Sequence, residues 1–298
     1  MAQLNRFGLN PLPWILGDMG YNLNAEVIRT ALRDAHTVGF RSMTVEIPAG
    51  MSTAEYRKLF DEAGVGFAPG YFSASFQDPQ QHAAAVDGIR RHAEAHRELG
   101  VDTAFIATDL IPQRITRPAI GAGEDLRITA IIADGMAAAA EAAAGVGVRY
   151  GLHPHVGSLV ETESETRAVL DRTRGSALGF GPDTGHLRWA GATPETVIGD
   201  YADRVIALHV KDVDPAAREK AVADRADYLT ATGRHHVWTE PGRGTIDFAA
   251  VFAALPGDWD GWTILEVDVP NLPTPVDSTR ASFDWLTAQP FHAAPLGV

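Results

Sequence analysis

Residues Val148–His186 read VRYGLHPHVGSLVETESETRAVLDRTRGSALGFGPDTGH and hold one strand–helix–strand unit. Val148–His153 is a short apolar run that ends on histidine. Glu163–Arg172 has helical periodicity. Ala177–Pro182 is a second short run, and Asp183 and His186 follow it. The same alternation continues in both directions. Upstream lie the candidate strands Arg6–Asn10, Ser42–Pro48, Gly66–Phe72 and Thr103–Thr108; downstream lie Val205–Val210 and Trp262–Glu266. Helix-like stretches fill the intervals: Asn24–Val38, Thr53–Ala63, Pro79–Leu99, Asp125–Ala144, Pro194–Tyr201, Ala216–Leu229, Phe248–Leu255 and Ser278–Leu286.

Helix ends are marked along the chain. Ser52-Thr53-Ala54-Glu55 has the spacing of a capping box. Thr193-Pro194 and Asp78-Pro79 each set an N-cap residue before a proline at the first helical position. Gly39, Gly64, Gly100 and Gly145 stand where helices should close in a left-handed turn. Eight strand–helix units in 298 residues predict an α/β fold, a (β/α)8 TIM barrel, as one domain over residues 1–298. A doubly wound open sheet would want a glycine-rich phosphate turn after an early strand. The first strand runs instead into Asn10-Pro11-Leu12-Pro13-Trp14.

Composition narrows the function classes. With 25 Lys and Arg against 38 Asp and Glu, the net charge is −13, the wrong sign for tracking phosphates, so no nucleic-acid partner is expected. The chain has no Cys, which excludes thiolate metal sites, disulfides and a Cys nucleophile and fits a cytoplasmic setting. No apolar run at the start is long enough for a signal peptide, and none elsewhere approaches a membrane span.

In a barrel of this kind the chemistry sits at the C-terminal ends of the strands. Glu46 lies near the end of the second, and His153 and His155 end the fifth. Asp183 and His186 follow the sixth. His209, Lys211 and Asp212 end the seventh, and Glu266 and Asp268 end the eighth. Strand parity puts Ser42, Thr44 and Glu46 on one face, as it does Val205, Ala207 and His209, and Trp262, Ile264, Glu266 and Asp268. Imidazoles and carboxylates converging without thiolate suit a divalent cation: Mn, Mg, Co, Fe or Zn. Taken singly, each of these residues could be a cap, a surface charge or a satisfied core group. The expectation rests on the set.

Four blocks carry a family resemblance: Gly181-Pro182-Asp183-Thr184-Gly185-His186-Leu187, His209-Val210-Lys211-Asp212, Pro241-Gly242-Arg243-Gly244-Thr245-Ile246-Asp247-Phe248, and Gly261-Trp262-Thr263-Ile264-Leu265-Glu266. They resemble the sugar phosphate isomerase/epimerase superfamily, the xylose isomerase-like barrels. Asn10–Trp14 and His153–Thr162 are similar to the inosose dehydratase group within it. The resemblance implies a metal held by Asp183, His209 and Glu266. Epimerases of the superfamily place a Glu on strand five, where this chain has Leu152-His153-Pro154-His155. The fourth ligand is therefore His153, or comes from elsewhere, for example Glu161. His186 matches a substrate-contacting position of the epimerases.

That departure leaves a two-carboxylate epimerase scheme incomplete. A β-elimination needs one base and one acid beside an activated carbonyl. The expected function is a metal-dependent lyase on a keto-inositol or keto-sugar. His155 is the candidate acid/base, with Glu240 a weaker one. Trp14, Glu46, His186, Lys211 and Arg243 are candidate substrate-binding groups. Against these stand plainer readings: Trp14 as a plug of the mouth, Lys211-Asp212 as a local ion pair, Arg243 as a solvated loop charge. His36, His82, His92 and His96 fall on helices and read as solvated; His235 and His236 read as surface groups. Rival functions are a keto-sugar isomerase or epimerase, an eliminase of 3-keto-glycosides, a metal-dependent endonuclease, and a non-catalytic sugar-binding protein. The loop Leu110–Glu124 is long enough for a lid or a subunit contact, and related barrels often form homo-oligomers.

Overall fold

The computed structural model describes residues 6–17 and 20–290. Residues 1–5, the start of the segment read for a leader, and residues 18–19 and 291–298 lie outside the described residues. Parallel strands form the central layer: β1 (Phe7–Leu9), β2 (Ser42–Thr44), β3 (Gly66–Ala68 and Tyr71–Ala74), β4 (Thr103–Thr108), β5 (Arg149–Leu152), β6 (Gly179–Phe180), β7 (Ala207–Val210) and β8 (Trp262–Leu265). One run of pairing goes β7–β8–β1–β2 and the first half of β3; another goes from the second half of β3 through β4 and β5 to β6. Pro69-Gly70 joins the two halves of β3 covalently. At the other junction, β6 meets β7 through the parallel bridges Phe180–Val205 and Asp183–His209. Ile206 N–H donates to the Phe180 carbonyl and His209 N–H to the Pro182 carbonyl, both at 2.9 Å. The ring of strands is thereby closed.

The strands are shorter than the apolar runs. Ser42–Pro48 is regular strand only as far as Thr44, and Ala177–Pro182 only at Gly179–Phe180, with single backbone bonds beyond. The residues that leave the ladder are those that carry the rim groups. Inside the barrel, Ala68, Phe105, Ala207 and Ile264 form one buried cluster. Phe105 fills this space because its neighbours are small: a Cβ on Gly181 would lie 2.6 Å from its ring. Parity holds here. Ala207 and Ile264 lie in this inner layer, and His209 and Glu266 stand two residues further along the same faces.

The outer layer is helical: α1 (Ala25–Val38), α2 (Thr53–Ala63), α3 (His82–Leu99), α4 (Leu126–Ala144), α5 (Glu163–Arg172), α6 (Pro194–Asp200), α7 (Phe248–Ala253) and α8 (Pro275–Thr287). On α4, Ile132, Met136, Ala139, Ala140 and Ala143 are buried. The alanines let it pack closely, while Ile132 and Met136 each contribute about 1.5–3 kcal/mol of burial. Ser52 and Glu55 make both bonds of the capping box, and Asp78 caps a short 3-10 turn that precedes α3. Thr193 stands at the N-cap of α6 but its hydroxyl makes no cap bond. Gly145 stays right-handed at φ −61°; the left-handed residue comes two positions later, at Gly147. The stretch Ala216–Leu229 is not one helix but two, Pro215–Ala223 and Tyr228–Gly233. Asp227 caps the second by accepting from Thr230 N–H at 2.8 Å. No helix among the described residues is long and apolar enough to cross a membrane.

His96 is not solvated as expected but fully buried. Its Nε2 accepts from Gly70 N–H at 3.1 Å, at the break in β3, and its Nδ1–H donates to the His92 carbonyl at 2.9 Å. Burial pulls its pKa down to about 4, against the raising effect of the His92 bond. A folded pKa below the unfolded 6.5 gives stability that is full above pH 6.5 and is lost as pH falls toward 4. The variant His96→Gln keeps an acceptor but does not titrate. Between pH 7 and pH 5 the stability advantage of the native protein over this variant is expected to shrink by about 2 kcal/mol. Urea unfolding at the two pH values measures it; an unchanged advantage overturns the assignment.

Candidate active site

The floor of the mouth is built by three neighbouring strands. Asp183 follows β6, His209 lies in β7 and Glu266 follows β8, and all three are buried. Asp183 is also the N-cap of the short helix Thr184–Trp189, where its Oδ1 accepts from His186 N–H at 2.9 Å. That bond fixes the carboxylate and leaves Oδ2 pointing to His209, whose Nδ1 is 3.7 Å away. Glu266 Oε2 accepts from the amide of Asn10 at 2.6 Å. It also lies 2.9 Å from His209 Nδ1, off line for a hydrogen bond. One donor atom from each of Asp183, His209 and Glu266 lies within 4.8 Å of the others. Asp183 Oδ2 and both ring nitrogens of His209 are buried without a hydrogen-bond partner. Buried polar atoms of this kind are costly unless something satisfies them. Donor atoms of Asp183, His209 and Glu266 that face one another and mix imidazole with carboxylate fit a divalent cation. Burial opposes charge on His209, but Glu266 and Asp183 outweigh it and push the imidazole up to about 9.

His153, after β5, extends the set. It forms a second group with Asp183 and His186 within the same reach, and its ring lies 4.7 Å from that of His209. Its Nδ1 is 3.2 Å from the Gly181 carbonyl, so Nε2 is the nitrogen left for a ligand. Glu161 stands elsewhere. Its carboxylate accepts from the N–H groups of Ala119, Gly121 and Gly157 and pairs with Arg114 at 2.9 Å.

Lys211 is the fixed positive charge of the site. Its Nζ lies 2.6 Å from Asp268 Oδ1 and 3.5 Å from Asp183 Oδ2, and it contacts Glu266 Oε1. The ammonium also faces the ring of Trp238 at 4.7 Å. Burial works against its charge, but Asp183, Asp268 and Glu266 hold it well above the usual lysine range. Lys211 and Asp212 are not an ion pair. Asp212 accepts from the N–H groups of Val213, Gly242, Gly244 and Ile246. The Pro241–Phe248 block is thus a backbone cradle for one carboxylate. A Cβ on Gly244 would lie 2.2 Å from Asp212 Oδ1, so the cradle demands glycine there.

Above the floor, His155 is half-buried, whereas His153, His186 and His209 are buried. Its ring stacks on His186 with centroids 3.8 Å apart. Burial, then the charge of Lys211, pulls its pKa down to about 4. Glu46 is half-buried at the same mouth. Burial, reinforced by the charge of Glu266, pushes its carboxyl up to about 8. Glu240 is buried, with Oε1 lacking a partner, and Arg243 is an exposed group 3.8 Å from it. Trp14 does not stand with the others. Its indole N–H donates to Asp34 of α1 at 3.1 Å, and it packs near Leu9 and Leu265 in the helix layer.

Three side chains of the site carry no expectation from the sequence. Asn10 holds Glu266; its parity with Gly8 on β1 could have flagged it. Tyr71 meets His153 edge-on at 5.5 Å, directly after the Pro69-Gly70 break. Tyr228 donates to Asp268 at 3.3 Å, and no local signal marks it.

The family model described as xylose isomerase-like TIM barrel matches residues 32–289. An inosose dehydratase of Geobacillus kaustophilus (strain HTA426) is 25% identical over 276 residues, spanning 88% of this chain and 87% of that protein. Two solved structures share the fold. The probable 3-DHS dehydratase AsbF from Bacillus anthracis has a TM-score of 0.71 at 13% identity, over 96% of this chain and 100% of its own. The IOLI protein with a zinc atom has a TM-score of 0.67 at 15% identity, over 95% of this chain and 97% of its own.

Proposed function

The chain belongs to the xylose isomerase-like TIM barrel family, and from that premise we propose that it is a cytoplasmic, metal-dependent lyase that dehydrates an inosose or a related keto-sugar. The observation that carries the reading over an epimerase is the state of the fifth strand. Two histidines stand at its end, and Glu161, the carboxylate nearest in sequence, is consumed by Arg114 and three backbone N–H groups. No carboxylate from that strand is left to oppose Glu266 as a second base.

A divalent cation held by Asp183, His209 and Glu266, with His153 beside them, would supply Lewis acidity toward a carbonyl oxygen. The protein groups do the rest. His155 donates Nδ1–H to the Val156 carbonyl at 2.7 Å, which leaves Nε2 as the basic nitrogen. Nε2 takes the proton from the carbon next to the carbonyl, the C–O bond at the neighbouring carbon breaks, and the proton leaves with the hydroxyl as water. Burial and the charge of Lys211 keep the imidazole unprotonated. Lys211 keeps the pair Glu266 and Asp183 anionic. Glu46, His186 and Arg243 are the groups for substrate hydroxyls, and Glu240 is the second acid/base candidate.

Product analysis tests the reading. Incubation of the metal-loaded protein with an inosose is expected to yield water and an ultraviolet-absorbing enone or diketone. Exchange of a carbon-bound proton in D2O with no loss of water would mark an epimerase and sink the lyase assignment.

A further inference from the structure

We propose that Arg114 is a positioning residue that sets the tautomer of His155 from outside the site. The proposal rests on the reading of His155 as the proton-transfer group. Arg114 lies in the helical turn Pro112–Thr116 of the loop between β4 and α4 and is fully buried. Its Nη1 is 2.9 Å from Glu161 Oε1 and 3.2 Å from Glu165 Oε2, and its Nη2 bonds Glu165 Oε1. A guanidinium buried between two buried carboxylates is tolerated only when its geometry is well satisfied.

Glu161 carries the link onward. Its Oε1 accepts from Gly121 N–H at 2.8 Å, and its Oε2 accepts from Ala119 N–H at 3.2 Å and Gly157 N–H at 2.9 Å. One carboxylate therefore ties the loop after β4 to the loop after β5. The tie is reinforced by Ile111 N–H on the Gly157 carbonyl at 3.0 Å and by Leu159 N–H on Thr108 Oγ1 at 2.9 Å. These bonds hold the long loop to its neighbour. Gly157 itself has φ +95°, a turn that L side chains rarely adopt.

The neighbour of Gly157 is Val156, and its backbone addresses both stacked rings. The Val156 carbonyl accepts from His155 Nδ1–H at 2.7 Å, while Val156 N–H donates to His186 Nδ1 at 3.1 Å. A neutral imidazole has one N–H. His155 must then carry it on Nδ1. His186 is not fixed in this way, because Val156 N–H faces its Nδ1 while Lys211 Nζ, also a donor, lies 3.3 Å from its Nε2. One residue, Val156, fixes the His155 tautomer: its carbonyl takes the His155 N–H, and the N–H of the same peptide, on Gly157, is held by Glu161. Arg114 acts on that residue through Glu161 and Gly157.

The test uses the metal-loaded full chain with 15N-labelled histidine. Two-bond 15N–1H correlation is expected to show His155 as Nδ1–H. In Arg114→Lys one ammonium cannot bridge both carboxylates. The His155 ring should lose its single-tautomer pattern, with metal content unchanged. Turnover of inosose per metal-loaded molecule should fall about thirtyfold with KM within about threefold. Glu161→Gln breaks the same link from its other end and should give the same spectrum. A folded variant of either kind that keeps His155 as Nδ1–H overturns the proposal. So does a native protein with the other His155 tautomer, or loss of the fold in both variants, which would leave Arg114 a residue of stability alone. The native tautomer as stated with no turnover of inosose would refute the lyase reading and leave the linkage standing.

Discussion

Asp183→Asn is expected to strip the protein of its metal and lower turnover on the order of a thousandfold, while the barrel stays folded. The substitution is chosen for what it keeps. An Asn side-chain oxygen can still accept from His186 N–H, the cap bond of Thr184–Trp189. What it removes is the charge on the oxygen that faces His209 without a hydrogen-bond partner. Lewis-acid activation is worth several kcal/mol, and each 1.4 kcal/mol is about tenfold in rate. His209→Ala removes the central member of the cluster and should behave alike. Elemental analysis of the purified variants, with circular dichroism for the fold, decides the matter. A full equivalent of metal in either variant would mean that the cation, if bound, is held by a different set.

His155→Ala is the second large effect, and it separates chemistry from metal binding. This variant should retain the full metal content of the native protein and lose turnover by about a hundred- to ten-thousandfold, the range of one general acid/base. The assignment follows from exposure and partners. His155 alone among the four clustered imidazoles is half-buried, and its Nδ1 is committed to the Val156 carbonyl. His153→Ala should do the opposite, lowering metal content first and activity in consequence, because its ring stands against His209 and its donor atom groups with Asp183. If His155→Ala loses the metal and His153→Ala keeps it, the two roles are exchanged.

Much of this site is legible in the chain because a barrel converts strand ends into one rim. Parity on β7 and β8 is enough to place His209 and Glu266 above Ala207 and Ile264, and the interior cluster has that layering. Other residues escape because their roles are tertiary. His96 reads as one more polar residue on a helix, yet it continues the buried stripe of Ala85, Ile89 and Ala93 on α3; that spacing was the signal. Trp14 is adjacent to a strand end in sequence, but the helical turn Leu12–Ile15 swings it outward to Asp34. Lys211 and Asp212 are neighbours in the chain with opposite charges. Strand geometry sends them to opposite sides, one to the cluster and one to the glycine cradle. Tyr228 arrives from a helix within the β7–α7 connection, and nothing in its own surroundings foretells Asp268.

The junction of β6 and β7 has a consequence for how the molecule holds together. It is sewn by isolated bridges at Phe180–Val205 and Asp183–His209 rather than by a continuous ladder. Asp183 stands on one side of that border, and His209 and Glu266 stand on the other. An ion held by all three would act as a rivet across that border. Occupancy and folding would then be coupled by mass action, so that loss of the ion would loosen the wall as well as halt the chemistry.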